Sequence, residues 1–267
     1  MTKQIGDAAP LLAIMQKLRD PQSGCPWDKA QDFQSIVPFT IEEAYEVADT
    51  IERMALDELP DELGDLLFQV VFYCQLGKEQ GLFDFGTVVQ RICDKLTRRH
   101  PHVFEGLAAT TTSEIKQNWE QLKANERSKR ELNSALDDIP LSLPALSRSI
   151  KIQKRVARVG FDWAELPPVV AKIHEEIDEV LFEVKQEHVD PKKVQDEMGD
   201  LLFAVVNLAR HLGVEPEKAL RQANQKFERR FRGVEAYAQA DGRAMTEHSL
   251  AELDSYWDKV KHDEANK

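Results

Sequence analysis

The strongest constraint on the fold of this chain is that the same block occurs in it twice. Residues 61–72 are DELGDLLFQVVF and residues 196–207 are DEMGDLLFAVVN, identical at nine of twelve positions. Upstream, Glu42-Glu43-Ala44-Tyr45-Glu46 pairs with Glu175-Glu176-Ile177-Asp178-Glu179. Downstream, Lys95-Leu96-Thr97-Arg98-Arg99 pairs with Lys226-Phe227-Glu228-Arg229-Arg230, and Trp119-Glu120-Gln121-Leu122-Lys123 with Trp257-Asp258-Lys259-Val260-Lys261. Four matches in one order, offset by 131–138 positions, mean two copies of one unit with small insertions in the loops.

Each copy is patterned for helices. Val169, Val170, Ile173, Ile177, Val180, Leu181 and Val184 recur at spacings of three and four, which places them on one helical face. Asp190 and Pro191 predict the cap and first turn of the next helix, whose centre, Met198–Ala209, is apolar nearly all round and expected deep in a bundle. Glu215-Pro216 opens a third helix, and a last one covers about 249–263. In the first copy Thr40 is the expected cap of the carboxylate-bearing helix. No run shows strand alternation, so the predicted fold is all-α, with two small helical bundles in tandem. The polar stretch 125–135, followed by Pro140 and Pro144, sets the expected domains at 1–125 and 143–267, with a linker at 126–142.

A formal net charge of −12 argues against a general nucleic-acid or anionic-membrane binder. The longest apolar stretches, around Leu66–Cys74 and Leu201–Ala209, are about half a membrane span. Cys25, Cys74 and Cys93 form no C-x-x-C pair and are expected as buried thiols in a reducing, cytoplasmic setting.

Two acidic elements recur in each copy. E-E-x-x-E stands at Glu42, Glu43 and Glu46 and again at Glu175, Glu176 and Glu179; E-x-x-D stands at Glu62 and Asp65 and again at Glu197 and Asp200. Residues three apart share a helical face, so antiparallel packing of consecutive helices would converge four carboxylates on one spot. Such a cluster repels itself unless protons or cations compensate it, and hard oxygen ligands suit Mg²⁺ or Mn²⁺ rather than Zn²⁺. A lone E-E-x-x-E is ordinarily a solvated face, but Asp65 and Asp200 each precede Leu-Leu-Phe in the most apolar helix, where an unpartnered charge is costly. Lys226, Arg229 and Arg230, at i, i+3 and i+4, point one way and supply the cationic side that a polyphosphate needs. Trp257 is either a core aromatic or a platform for a base or sugar. No E-x-x-H, P-loop, G-x-S-x-G or H-E-x-x-H motif is present, which sets aside the di-iron, P-loop, serine-hydrolase and zincin readings.

With these motifs the chain resembles the MazG family of all-α nucleoside triphosphate pyrophosphohydrolases. The likeness covers nearly its whole length, including Cys25-Pro26-Trp27-Asp28 and Gly160-Phe161-Asp162-Trp163. The resemblance implies hydrolysis of a nucleoside triphosphate to a monophosphate and pyrophosphate, dependence on Mg²⁺ with Mn²⁺ as a substitute, and a homodimer. It also implies that Glu176, Glu179, Glu197 and Asp200 bind metal, and that Glu175, Glu176 and Glu179 act in catalysis, Glu175 by holding a second ion or orienting water. Lys172, Glu176, Lys193, Asp196, Asp200, Lys226, Arg229, Arg230 and Trp257 would bind the nucleotide. Glu43, Glu46, Glu62 and Asp65 would be the first copy's metal ligands, and Lys95, Arg98, Arg99 and Trp119 its nucleotide contacts. A non-catalytic nucleotide sensor or a helical partner-binding scaffold is the competing reading.

The second copy is expected to carry most of the hydrolysis. Lys172 precedes Glu176 by four and Lys193 precedes Glu197 by four, whereas the corresponding first-copy positions are Phe39 and Glu58. The first copy's basic helix also runs into His100-Pro101, where the proline should end it, while Phe231 lets the second continue.

Overall fold

The computed structural model describes residues 7–104, 111, 114–115 and 134–266, and every regular element among them is helical. The chain divides into two compact units, Met1–Glu126 and Arg127–Lys267. In the first unit the helices are α1 (Ala9–Leu18), α2 (Pro26–Ala30), α3 (Val37–Glu52), α4 (Leu59–Glu79), α5 (Phe85–Arg99) and the single turn α6 (Pro101–Phe104). The second unit has α7 (Ala145–Ala157), α8 (Leu166–Val184), α9 (Pro191–His211), α10 (Pro216–Ala240), a 3₁₀ turn at Met245–Glu247, and α11 (Leu250–Ala265). Residues 134–142 of the segment expected as a linker fall with the second unit. Ile139 is buried there, and Arg155 of α7 donates to the carbonyls of Ala135 (3.2 Å) and Asp137 (3.4 Å).

Helix starts follow local chemistry. Asp190 caps α9 by accepting from the Lys192 N–H, with Pro191 at the first position, where no intrahelical N–H partner is needed. Glu215 caps α10, and Ser249 with Glu252 forms a capping box at α11. Thr40 is not the cap of α3. That helix begins earlier, at Val37, because Pro38 fits its first turn; the Thr40 hydroxyl instead bonds the Ile36 carbonyl (3.1 Å) and Tyr73 OH (3.0 Å). The basic helices differ as expected: α5 stops at Arg99 before Pro101, whereas α10 runs on to Ala240.

In the first unit Met15, Ile36, Val71, Phe72 and Leu76 form the core, drawn from α1, α4 and the entry to α3. In the second, α8 and α9 pack as a hairpin, and α7 and α10 pack on α9. Ile150, Val169, Ala204, Val206, Val234 and Val260 are buried. The centre of α9 is not deep throughout. Ala204 and Val206 are buried, but Met198, Leu202, Phe203 and Val205 stay 40–52% exposed. The physical reason is that the packed helices cover one side of α9 and leave the rest of its apolar circumference open. Of the cysteines only Cys74 is buried; Cys25 is half-buried and Cys93 exposed, and all three are free thiols. No helix among the described residues is long and apolar enough to cross a membrane.

Candidate active site

The α8–α9 hairpin turns the two acidic motifs toward each other. Carboxylate oxygens of Glu176, Glu179 and Glu197 lie within 4.8 Å of one another, close enough to share a cation. Asp200 is not part of this triad but lines the same cavity as Glu176. The first unit has the matching group in Glu43, Glu62 and Asp65, with Glu46 outside it.

Glu176 is the buried member, with its side chain 6% exposed. Lys172, one turn earlier, donates from Nζ to Glu176 Oε1 (2.8 Å) and to Glu175 Oε1 (2.7 Å). The other oxygen, Glu176 Oε2, is buried without a hydrogen-bond partner. A buried carboxylate left half-satisfied is unfavourable unless something else meets it. The bonds to Glu175 and then Glu176 hold the Lys172 ammonium charged well above the usual lysine range. The Glu179 carboxyl is pushed up, first by a hydrogen bond with Glu176, then by desolvation and the charges of Glu176 and Glu197, with Lys172 opposing. Carboxyls brought this close mark a place where negative charge is in excess. In the first unit burial, then the charges of Asp65 and Glu46, push Glu43 up, while Gln69 bonds it at 3.4 Å. Glu62 is raised by burial and then by Glu46 and Asp65.

An all-oxygen triad with an orphaned buried oxygen fits a hard divalent cation. Such ions take carboxylate ligands and need little help from soft donors.

The cations sit differently from their sequence spacing. Lys193 is largely exposed and faces Glu183 of α8 at 3.7 Å rather than the triad. Asp196 is exposed. In the first unit Phe39 packs on the core and meets the Trp27 ring edge-on at 5.6 Å, and Glu58 is paired with Arg53 at 2.9 Å. On α10, Arg229 and Arg230 both bond Glu264 of α11, at 2.9 and 2.7 Å, and Lys226 is exposed. Trp257 lies 5.2 Å from the Phe227 ring, with the Arg230 guanidinium 5.9 Å from its centroid. Arg229 and Arg230 line a cavity of about 920 Å³ that shares no lining residue with the cavity of about 580 Å³ beside Glu176 and Asp200. Lys95, Arg98 and Arg99 occupy the last turns of α5, and Trp119 lies outside the described residues.

Several residues of the smaller cavity carry no motif spacing: Gln153 of α7, Phe161 and Trp163 of the α7–α8 loop, and Asn207 and Arg210 of α9. The available signal was G-F-D-W itself, an aromatic-rich turn just before the carboxylate helix. Gly160 takes a positive φ of 88° there, which favours glycine. Asp162 then anchors the loop, accepting from Arg210 Nη1 (2.9 Å) and Nη2, with His211 Nε2 at 3.2 Å. Bonds from Arg210, then its charge and that of His211, hold the Asp162 carboxyl below the usual range.

Comparison with known proteins gives the family. The MazG nucleotide pyrophosphohydrolase domain model matches twice, at residues 31–104 and 168–234. The chain is 58% identical over 254 residues to the nucleoside triphosphate pyrophosphohydrolase of Escherichia coli (strain K12), covering 95% of this chain and 97% of that protein. It is 41% identical over 251 residues to the nucleoside triphosphate pyrophosphohydrolase/pyrophosphatase MazG of Thermotoga maritima, covering 94% of each. Both acidic motifs of each copy fall inside the matched segments, and the chain belongs to the MazG nucleotide pyrophosphohydrolase family.

Proposed function

We propose that this protein hydrolyses nucleoside triphosphates between the α and β phosphates, releasing a nucleoside monophosphate and pyrophosphate, with Mg²⁺ as cofactor and Mn²⁺ as a substitute. The observation that carries this reading is the triad of Glu176, Glu179 and Glu197, whose buried member Glu176 has an unpartnered oxygen and lines a cavity of about 580 Å³. Glu176, Glu179 and Glu197 would hold the ion, with Asp200 completing the set from the cavity wall. When bound, Mg²⁺ supplies charge neutralisation on the phosphate oxygens. Glu175, exposed and held by Lys172, accepts the proton of the attacking water while the α–β anhydride bond breaks toward pyrophosphate. Lys172 lies within reach of both motif carboxylates and turns to the phosphates as they enter. Lys226, Arg229 and Arg230 receive the outer phosphates after Glu264 gives up its two arginines, and Trp257 braces Arg230.

The second unit does most of this work in the proposal. Lys172 alone carries this bias, since Lys193 faces Glu183 instead of the triad. A cation beside a polyanion is worth roughly 1 kcal/mol or more in a partly screened site, and Phe39 offers none. The protein acts as a homodimer in this reading, because the exposed face of Met198, Leu202 and Val205 is too apolar to leave in water.

With excess nucleoside triphosphate and Mg²⁺, product analysis should show pyrophosphate and the monophosphate. Changing Glu176 and Glu179 together to Gln should cut the rate by about 10²-fold or more. The same change at Glu43 and Glu46 should leave most of the activity; equal losses would remove the bias toward the second unit. Light scattering at micromolar concentration should report twice the chain mass, and a value near 30.5 kDa would refute the dimer. The raised Glu179 carboxyl gives a further check. A carboxyl whose folded value lies above its unfolded one makes the ion-free protein lose stability as pH rises from the ordinary glutamate range through the raised value. Mg²⁺ needs the ionised form, so the rise in Tm on adding Mg²⁺ should be small near the ordinary glutamate pKa and grow toward neutral pH. A Mg²⁺ effect independent of pH would contradict this electrostatic reading.

A further inference from the structure

We infer that Glu264 is an internal stand-in for the outer phosphates of the substrate: it occupies Arg229 and Arg230 in the free protein, and its return to them after cleavage expels pyrophosphate. The inference rests on the hydrolase reading above and adds to it the residue that drives product release.

Glu264 meets each arginine with a separate oxygen. Its Oε1 accepts from Arg229 Nε at 2.9 Å and its Oε2 from Arg230 Nε at 2.7 Å. One oxyanion shared between two guanidinium groups is also how a terminal phosphate is held. The packing of α10 on α11 sets this register. Gly233, one turn after Arg229, lies so close to Val260 that a Cβ there would sit 2.6 Å from its side chain, and Val260 is one turn before Glu264. Tyr237 donates from its hydroxyl to Asp263 Oδ2 at 2.6 Å, which ties the residue before Glu264 to α10 as well. With the helix fixed, displacing Glu264 needs only a rotation of its side chain, and the carboxylate returns with little ordering entropy to lose.

The charges around the pair make it a competition site. The cavity of about 920 Å³ beside it is lined by Arg229, Arg230 and Lys261 against Asp263 and Glu264. Lys261 is bonded to Asp258 at 2.9 Å, which leaves the two arginines as its cationic side. Bonds from Arg230 and then Arg229 hold the Glu264 carboxyl below the usual glutamate range, so it is an anion at neutral pH. Both pairs are partly exposed, and ion pairs of this kind are weak enough to open. A carboxylate carries one charge on two oxygens, whereas a terminal phosphate carries about 1.5 to 2 on three. While the nucleotide is anchored through its other end, its outer phosphates therefore win the arginines. Breaking the α–β bond removes that anchorage. Pyrophosphate then competes from solution with a carboxylate tethered at the site, and the tether gives Glu264 the higher effective concentration.

The test reads a gain of affinity, which structural damage does not produce. At fixed Mg²⁺ and ionic strength, calorimetry measures the Kd of methylenediphosphonate, a pyrophosphate analogue that cannot be hydrolysed, and of adenosine monophosphate, which has no outer phosphates. Glu264→Gln keeps the side-chain size and removes the charge, and should tighten methylenediphosphonate by about fivefold or more. Affinity for the monophosphate should stay within about twofold. With Arg229 and Arg230 both changed to Gln, methylenediphosphonate should bind weakly, and adding Glu264→Gln should then alter its Kd by less than about twofold, because no arginine is left to withhold. In turnover with ATP, added pyrophosphate should inhibit Glu264→Gln at a concentration about fivefold lower than it needs for the wild type. Unchanged or weaker methylenediphosphonate binding in Glu264→Gln would overturn the inference. So would an equal gain in the background lacking both arginines, which would make Glu264 one more negative charge on an acidic protein. If Glu264→Gln tightens the analogue as described but neither protein releases pyrophosphate from ATP, the hydrolase reading fails while the competition for the arginines stands.

Discussion

The second unit is organised around a carboxylate that is almost wholly buried. Glu176 sits on the inner face of α8 with one oxygen taken by Lys172 and the other unmet, and two more glutamates stand within 4.8 Å. Concentrated negative charge of this kind opposes folding. The local responses are visible: a lysine bonded to two glutamates, and a Glu179 carboxyl pushed up by its hydrogen bond with Glu176 and by desolvation. Neither meets the orphaned oxygen, since Lys172 bonds the other oxygen of Glu176. The site is built to be completed by a cation, and the stability given up in the free protein becomes binding energy for the ion.

The scaffold around that charge is rigid where geometry matters. Asp190 and Glu215 cap α9 and α10, so the acidic and basic motifs lie on helices with defined starting points. The Asp162–Arg210 pair ties the loop before α8 to the end of α9, joining both acidic helices through a contact outside either motif. On the far side, Gly233 lets α10 approach α11 so closely that a Cβ would lie 2.6 Å from the Val260 side chain. That approach holds Glu264 against Arg229 and Arg230. The two arginines are thereby paired with one carboxylate.

Much of this was legible in the sequence, because duplication turned weak local signals into strong ones. The helical class, the starts of α9, α10 and α11 and the stop before Pro101 follow from caps, prolines and apolar spacing. The convergence of E-E-x-x-E with E-x-x-D follows from three-residue periodicity, which is local. What spacing does not carry is the choice of partner across helices. Lys193 shares a face with Glu197 along α9 yet meets Glu183 on α8, and Arg229 and Arg230 meet Glu264, thirty-odd residues away. Helix starts also shift when a proline suits an earlier turn, as Pro38 does at the expense of Thr40. Gln153 was invisible because a glutamine inside a basic, amphipathic stretch has no pattern of its own. Its meaning lies in the Phe203 carbonyl fifty residues away.

The central claim is that a hard divalent cation belongs between α8 and α9, bound by the acidic triad. Crystals grown with Mn²⁺, which scatters anomalously and takes the same oxygen ligands, test it most directly. The account predicts an anomalous peak within about 2.0–2.4 Å of oxygens from Glu176, Glu179 and Glu197, with Glu176 Oε2 no longer unpartnered. A saturating Mn²⁺ concentration that leaves this spot empty, with Lys172 still bonded to Glu176 and the ion bound elsewhere, would contradict it.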